Sequence, residues 1–362
     1  MALVGSGNSI SFKDIQTEFG RPSNGSFGKY RLNDNNGNSE NVGSLTNLPL
    51  DEGIPTTGEI KFSDFYSKKL NIIVDFYTQD FERQDIKARF EDAIHVIGPR
   101  DGRPASTSGK KIIAHVNKLI TSNNIFKSKR TSCSLMTGEW DLDTELIINV
   151  GSDGIIIGAG GDGGRGSEGS GNFFAGKDGT SAIGINTTQG VKIINNGLIS
   201  CGFGGGGGGK GGRKNVSTGK KSSALAVSSG GGGGGGAGSP VGLGGGEGTG
   251  ASRGTDGHKG ANATINFSDS KKFLKGSGGN GGEGQGTSLD GGHGGEENVT
   301  AENGFNNGGA AGNNGFLIVT INNKNVEFDD SIPENGEIKI VTGSGKNIGN
   351  VQLNTPPVTQ PT

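Results

Sequence analysis

"VGLGGGEGTGASRGTDGHKG", residues 241–260, sets glycine at 242, 245, 248, 254, 257 and 260, with Ala251 filling the one gap in a three-residue beat. The beat recurs at Gly160, Gly163, Gly166 and Gly169, at Gly278, Gly281 and Gly284, and at Gly309, Gly312 and Gly315. Glycine is unbroken over 204–209 and 230–236. An ordered glycine loses more backbone freedom than any other residue, so such a region either stays disordered or adopts a structure that requires side chains to be missing. A left-handed helix with about three residues per turn makes no internal hydrogen bonds. Several packed side by side satisfy one another's backbones, and the residue facing each neighbour must then lack a Cβ. The beat predicts a bundle of polyglycine II helices in which glycines mark the faces where backbones touch and unbroken runs are surrounded on all sides. A flexible linker would be as rich in glycine without holding register. The quoted stretch reads as one rising helix from Gly242 to Gly260.

Glycine makes up 75 of the 362 residues, and nearly all the excess follows Gly151. A hydrophobic fraction of 29% is too small for a conventional core throughout. Net charge is −2, so no global field draws the chain to nucleic acid or an anionic membrane. The basic group Lys127, Lys129 and Arg130 reads as solvated surface. Cys133 and Cys201 fit no zinc or redox spacing and read as buried thiols. The opening residues have neither the basic region nor the apolar run of a signal peptide, and no later stretch is apolar enough to span a bilayer, so synthesis in a cytoplasm is expected.

Working outward, the expected fold is mainly β and irregular, in four parts. Residues 1–70 form an N-terminal docking arm containing an echo, "ISFKDI" at 10–15 and "IKFSDF" at 60–65. Each copy suggests a short strand entering a helical turn with an acidic cap, and Ile10, Phe12, Ile60 and Phe62 are the candidate docking residues. A self-contained satellite core is the alternative reading of the same four. Residues 71–150 form a β-rich domain, with "NIIVDFY", "AIHVIG" and "LIINV" as strands. "KKIIAHVNKLI" fits both periods and is read as strand. Residues 151–321 form the glycine-rich bundle, and 322–362 a C-terminal extension. "IINVGSDGIIIGAGG" (147–161) and "IINNGLISCGFGG" (193–205) repeat one motif, so the runs that follow should leave one layer in one direction.

Catalytic and cofactor motifs fare poorly. Gly158, Gly160 and Gly163 spell G-x-G-x-x-G after a strand, but no helical pattern follows to hold a pyrophosphate. "GNFFAGKD" at 171–178 approaches a P-loop with Asp178 where a hydroxyl should bind magnesium. His95, His115, His258 and His293 form no ligand spacing. No catalytic residue, cofactor or metal is expected.

The ordered combination of "ISFKDI"/"IKFSDF", "TGEWDLDTELIINVGSDGIIIGAGGDGG", "GKDGTSAIGI" and "NNGLISCGFGGGGGGKGG" resembles glycine-rich tail-fibre and adhesin proteins of T-even-like tailed bacteriophages, including cyanophage relatives. The glycine-rich half is similar to the tip adhesin of T-even long tail fibres. The extra β domain and long N-terminal arm depart from those tip adhesins. The resemblance implies a non-enzymatic virion tail protein, assembled in the host cytoplasm, whose loops bind a bacterial outer-membrane protein or polysaccharide. It also implies other tail-fibre or baseplate proteins as partners, with a homotrimer as one assembly. The alternative is a structural tail or baseplate component that bridges virion proteins without touching a receptor. An ice-binding bundle would want a flat Thr/Ala face where this chain has Asp162, Arg165, Glu247, Arg253 and Lys259. A parallel β-helix lyase lacks visible rungs of regular length.

Counting directions from the repeated motif places the loops. If both runs rise from a strand base, 213–229 lies at the tip, "SPV" turns at the base, and Gly242 to Gly260 climbs to a loop at 261–275. After a base connection at 287–290, 296–303 is again at the tip. The expected receptor contacts are Phe173, Phe174, Phe267, Phe273 and Leu274, flanked by Lys214, Lys220, Lys221, Lys271 and Lys272 for anionic groups.

Overall fold

Parallel strands covered on both faces read as near-continuous β-branched runs, and "NIIVDF", "KIIAHV" and "ELIINV" form such strands. The structure, a computed structural model, describes residues 3, 5–20, 26–30, 53–76, 79–98, 103–123, 132–167, 174–187, 191–219, 222–227, 229–248, 259–266, 272–274, 292–296, 299–305, 308–320, 344 and 346–352. It is mainly β, with few helices. Three five-stranded sheets carry the fold. The chain visits them in turn: Asn71–Phe76, Phe81–Glu82 and Gln84–Asp85; then Lys111–Val116, Leu119–Thr121 and Cys133–Met136; then Glu145–Val150, Ile155–Ile157 and Ser181–Ile185; then Val191–Asn195, Leu198–Ser200 and Phe316–Thr320. Lys346–Ile348 and Asn350–Gln352 extend the second and third sheets. Successive circuits pair in parallel, so these strands coil into a three-sided solenoid.

In-register pairing stacks like residues into rows. Ile72, Ile112, Leu146 and Val191 form one row and Val74, Ala114, Ile148 and Ile193 the next. Ile120, Ile156 and Ile199 line the second sheet, and Leu135, Ile183 and Ile318 the third. All belong to one buried cluster, and each Val, Leu or Ile side chain among them contributes about 1.5–3 kcal/mol by leaving water. At the open edge of the first sheet the antiparallel strand Val96–Ile97 covers Asn71–Phe76, and a covered edge cannot template another chain. The N-terminal segment joins the same core: Ile15, Phe19, Tyr30, Ile54 and Phe65 are buried in it. Residue 150 ends the first-sheet strand of the third circuit, pairing with Val116 and Asn195, so the coil continues across it.

The glycine runs leave from one corner of this coil. Residues 158–180 intervene between second-sheet and third-sheet strands in the third circuit, and 201–315 do so in the fourth. Gly161, Gly164 and Ser167 donate to Phe203, Gly206 and Gly209, so the two outgoing runs lie parallel, in the direction the repeated motif predicts. Gly160, Gly163 and Gly166 donate to Pro240, Leu243 and Gly246, a second neighbour at the same three-residue interval. Run 201–211 is the most enclosed: its backbone bonds reach 158–167, 174–180, 229–238, 292–295, 301–305 and 308–315. That enclosure accounts for the unbroken glycine at 204–209. A Cβ on Gly206 would sit 2.0 Å from the Gly292 oxygen, and on Gly207 1.8 Å from the Gly309 oxygen.

The stretch 241–260 departs from its reading as one helix. Gly260 donates to the Gly245 oxygen and Ala263 to the Gly242 oxygen, so 259–263 runs antiparallel to 240–248. The chain reverses between Gly248 and Lys259 while the beat continues. A three-residue contact rule carries no chain direction, which is why the reversal leaves the pattern intact.

Neighbouring glycines give an internal control for the close-contact account. A Cβ on Gly245 would meet the Gly164 oxygen at 2.1 Å, whereas one on Gly246 meets only the Arg165 side chain at 3.6 Å. Gly245→Ala should lower the thermal midpoint by several degrees or prevent folding. Gly246→Ala should leave it unchanged or raise it slightly, because fewer unfolded conformations are lost. Equal melting of the two variants would exclude backbone contact as the reason for glycine.

His115 offers a second test. Its imidazole is buried in the first sheet with Nδ1 unpartnered, and burial pushes its pKa down to about 4. The unfolded ring takes its proton near 6.5. Stability held by the neutral ring is therefore complete above about pH 6.5 and is lost as pH falls toward 4, by up to about 3 kcal/mol. Denaturant melts of His115→Leu should show a smaller loss between pH 7 and 4 than the parent. Burial pushes the Asp75 carboxyl, the strand neighbour of His115, upward against the lowering pull of Arg89 and His95, an effect opposite in sign to that of His115.

Candidate functional site

The end of the runs farthest from the coil is built from backbone. Ser167, the last described residue of its run, accepts from Gly230 at 3.2 Å, and its hydroxyl accepts from Gly211. The antiparallel strands Arg213–Gly219 and Ser222–Val227 extend beyond that level and return to Ser229, whose hydroxyl donates to the Gly248 oxygen at 2.9 Å. Phe174 is fixed at the same end: it donates to Arg165 at 3.2 Å and accepts from Gly208 at 2.9 Å. Phe305 accepts from Lys210 at 3.3 Å and from Gly308 at 3.1 Å. Both phenylalanines are about half exposed, 51% and 48%, and both border run 201–211. Both are among the exposed large apolar side chains of the described residues.

Side chains complete the bundle where a run has no neighbour. Asp162 accepts from the Leu243 N–H at 2.9 Å and from the Lys177 ammonium at 3.2 Å. Asn262, Asn314 and Asn303 accept from Gly244, Gly204 and Ala311, and Asp178 accepts from Asn313 at 2.6 Å. An amide or carboxylate on a short stem replaces the missing backbone acceptor.

The same use of donors disposes of the phosphate motifs. The N–H groups of Gly158, Gly160 and Gly163 go to Ser200, Pro240 and Leu243, leaving none to cradle a pyrophosphate. In the P-loop-like stretch, Gly176 and Lys177 donate to Ala310 and Asp162. Among the described residues no group of His, Cys, Asp and Glu is placed to hold a metal, and no helix is long and apolar enough to cross a membrane.

The expected contact residues do not all share one end. Phe174 and the strand position of Lys214 lie at the far end. Phe173, Lys220, Lys221, Phe267 and Lys271 lie outside the described residues. Lys272, Phe273 and Leu274 pair with Asn266, Ile265 and Thr264 in a hairpin that follows the descending run 259–263, so it sits at the coil end. The expected tip loop at 261–275 is corrected accordingly, and the cause is the reversal between Gly248 and Lys259. Residues 296–303 are corrected with it. Gly295 donates to Gly204 and Glu296 exchanges bonds with Val299, placing that turn at the coil end. The connection expected at 287–290 is outside the described residues.

Phe305 went unselected in the sequence. Its signal is a lone aromatic in "NGFNNGG", between turn-forming residues.

At the other extremity, the duplicated elements meet each other. Helix Phe12–Phe19 starts at a capping box in which the Ser11 N–H donates to Asp14 at 2.8 Å. The hydrogen bonds from Ser11 hold the Asp14 carboxyl below its usual range. The turn Phe62–Phe65 repeats the device, the Lys61 N–H donating to Asp64 at 2.7 Å. Phe27 sits between them, its ring 5.0 Å from Phe12 and 4.6 Å from Phe62. Ile10, Phe12 and Ile60 pack against the main core, whereas Phe62 stays 41% exposed. Of the four candidates, Phe62 presents the most surface to a partner.

A family model described as phage tail fibre adhesin Gp38 matches residues 100–351, from the second circuit to the last described strand. Among solved structures, the crystal structure of the gp37-gp38 adhesin tip complex of the bacteriophage S16 long tail fiber is similar to this chain at 17% identity. The match covers 83% of this chain and 90% of that one, with a TM-score of 0.32. No curated protein matches.

Proposed function

The chain belongs to the phage tail fibre adhesin Gp38 family, and from that premise we propose that it attaches a virion to a bacterial outer-membrane protein or polysaccharide through the far end of its glycine bundle. As a tail-fibre adhesin it is a component of the virion tail. We read the runs as polyglycine II helices, a reading supported by backbone bonds that repeat every third residue to each neighbour. The observation that carries the proposal is the exposed pair Phe174 and Phe305 at the end opposite the coil. Large apolar side chains held at a rigid extremity, with their backbones already bonded, meet a partner without first paying an ordering cost.

The coil end, with Phe62 exposed and the N-terminal segment folded onto the core, is the end toward the fibre, and its partner is another tail-fibre protein. The protein acts by binding, without catalysis. Among the described residues, the backbone donors of the enclosed run 201–211 go to acceptors on its neighbours, which suits a scaffold that presents loops.

Phe174→Ala with Phe305→Ala should reduce adsorption of the purified protein to susceptible cells by roughly tenfold or more, given the usual weight of buried aromatic anchors. The melting temperature should stay that of the parent, because neither ring packs in the core. Undiminished adsorption would remove the far end from the receptor contact. A bridging role without receptor contact predicts no adsorption by either protein.

A further inference from the structure

Leu243 is a half-exposed apolar side chain that neither the coil nor the far end uses. Its surroundings follow from the hydrogen bonds of run 158–167, which lies between runs 174–180 and 240–248. Asp162 joins one row across the three. Its carboxylate accepts from the Lys177 ammonium at 3.2 Å on one side and from the Leu243 N–H at 2.9 Å on the other. One level farther from the coil, Arg165 joins a second row. Its carbonyl accepts from Phe174 at 3.2 Å, its stem lies beside Gly246, and its Nε donates to the Glu247 oxygen at 3.2 Å. Residues three apart in such a run share a face, so Phe174 follows Lys177, Arg165 follows Asp162 and Gly246 follows Leu243, the two levels about 9 Å apart at a rise of about 3.1 Å per residue. Phe174 and Leu243, both 51% exposed, therefore occupy opposite corners of one lateral face. Between them lie the ion pair, the guanidinium and the bare backbone of Gly246.

We propose that this face is a second binding site, for an uncharged polysaccharide strand of the bacterial surface. Two observations choose that occupant. The charges of the face cancel: Lys177 and Arg165 stand against Asp162 and Glu247, and Asp178 and Lys259 at its two margins cancel as well, so no field favours a polyanion. The backbone is already committed. The N–H groups of Gly163, Gly166, Phe174, Lys177, Leu243 and Gly245 donate within the bundle, so an extended peptide finds no edge to pair with. A sugar ring needs neither field nor edge. It offers an apolar C–H face to Phe174 or Leu243, and its rim hydroxyls both donate to a carboxylate and accept from a guanidinium or ammonium. Both levels belong to runs held by glycine contacts, so the face is formed before the ligand arrives. The inference takes from the adhesin reading only the source of the glycan.

The test measures binding of the full chain to an uncharged surface polysaccharide of susceptible cells, purified free of lipid and protein. Leu243→Ala should weaken that binding roughly tenfold. It should keep the parent's melting temperature, because Leu243 is half in water already. Phe305→Ala, outside the two rows, should bind the polysaccharide like the parent. No binding by the parent, or equal binding by Leu243→Ala, overturns the proposal. Retention by vesicles that carry outer-membrane protein without polysaccharide, lowered by Leu243→Ala, also overturns it and gives the face to a protein. If the parent adsorbs to cells yet binds no polysaccharide, the far-end adhesin reading stands alone. Polysaccharide binding without adsorption to any cell keeps the lateral site and removes the adhesin reading.

Discussion

The ladder between Ile155–Ile157 and Leu198–Ser200 does not stop where the sheet ends. Ile157 faces Ser200, Gly158 donates to Ser200, and the donors Gly161, Gly164 and Ser167 follow to Phe203, Gly206 and Gly209. The third sheet does the same on the return path: Ile183 faces Ile318, and Gly179 and Gly176 donate to Asn313 and Ala310. Register in the glycine runs is thus inherited from strands whose apolar rows fix it. A one-residue slip in those strands would turn buried isoleucines to the wrong face. Runs without side chains cannot choose a register by packing, so the coil chooses it for them.

With register fixed, the bundle needs no apolar core. Each enclosed run meets its neighbours through backbone bonds at every level, and the cost of leaving a buried peptide group unpaired makes the arrangement all-or-none locally. At the periphery, where neighbours run out, Asp162, Asn262, Asn303 and Asn314 supply acceptors. The polar residues that stand among the glycines are in part structural for this reason. A surface rich in Asp and Asn follows from the bundle's own hydrogen-bond needs.

Much of this was legible in the sequence, and what was hidden was hidden for physical reasons. The beat at Gly160, Gly163 and Gly166 reports contact faces and was readable, as was the parallel departure of the runs after "IIIG" and "LISCG". The solenoid was not, because its circuits are stretched by 158–180 and then by 201–315, so strands that lie one above another are far apart in sequence. The far end was half legible. Phe174 and Lys214 follow from the outgoing runs, but Phe273 and Leu274 required knowing that the chain reverses after Gly248, and Gly245 and Gly260 look alike whether they lie on one run or on two facing ones. The aromatic Phe27, between Phe12 and Phe62, was masked by its polar, turn-rich surroundings.

The two kinds of element also separate what may vary from what may not. Within a run, the residue at each contact is fixed as glycine by the oxygen facing it, as Gly245 is by Gly164 and Gly233 is by Gly206. A connection beyond the last bonded level has no such neighbour. Between Lys210 and Ser229 the chain builds a hairpin, while between Phe305 and Gly308 it turns at once, yet both return to the bundle in phase. Connections of different length and chemistry therefore attach to one scaffold, because the phase of each returning run is set by its glycines and by the sheet at the opposite end. Changing the far-end residues alters what the protein can touch while the interactions that hold the runs together stay the same.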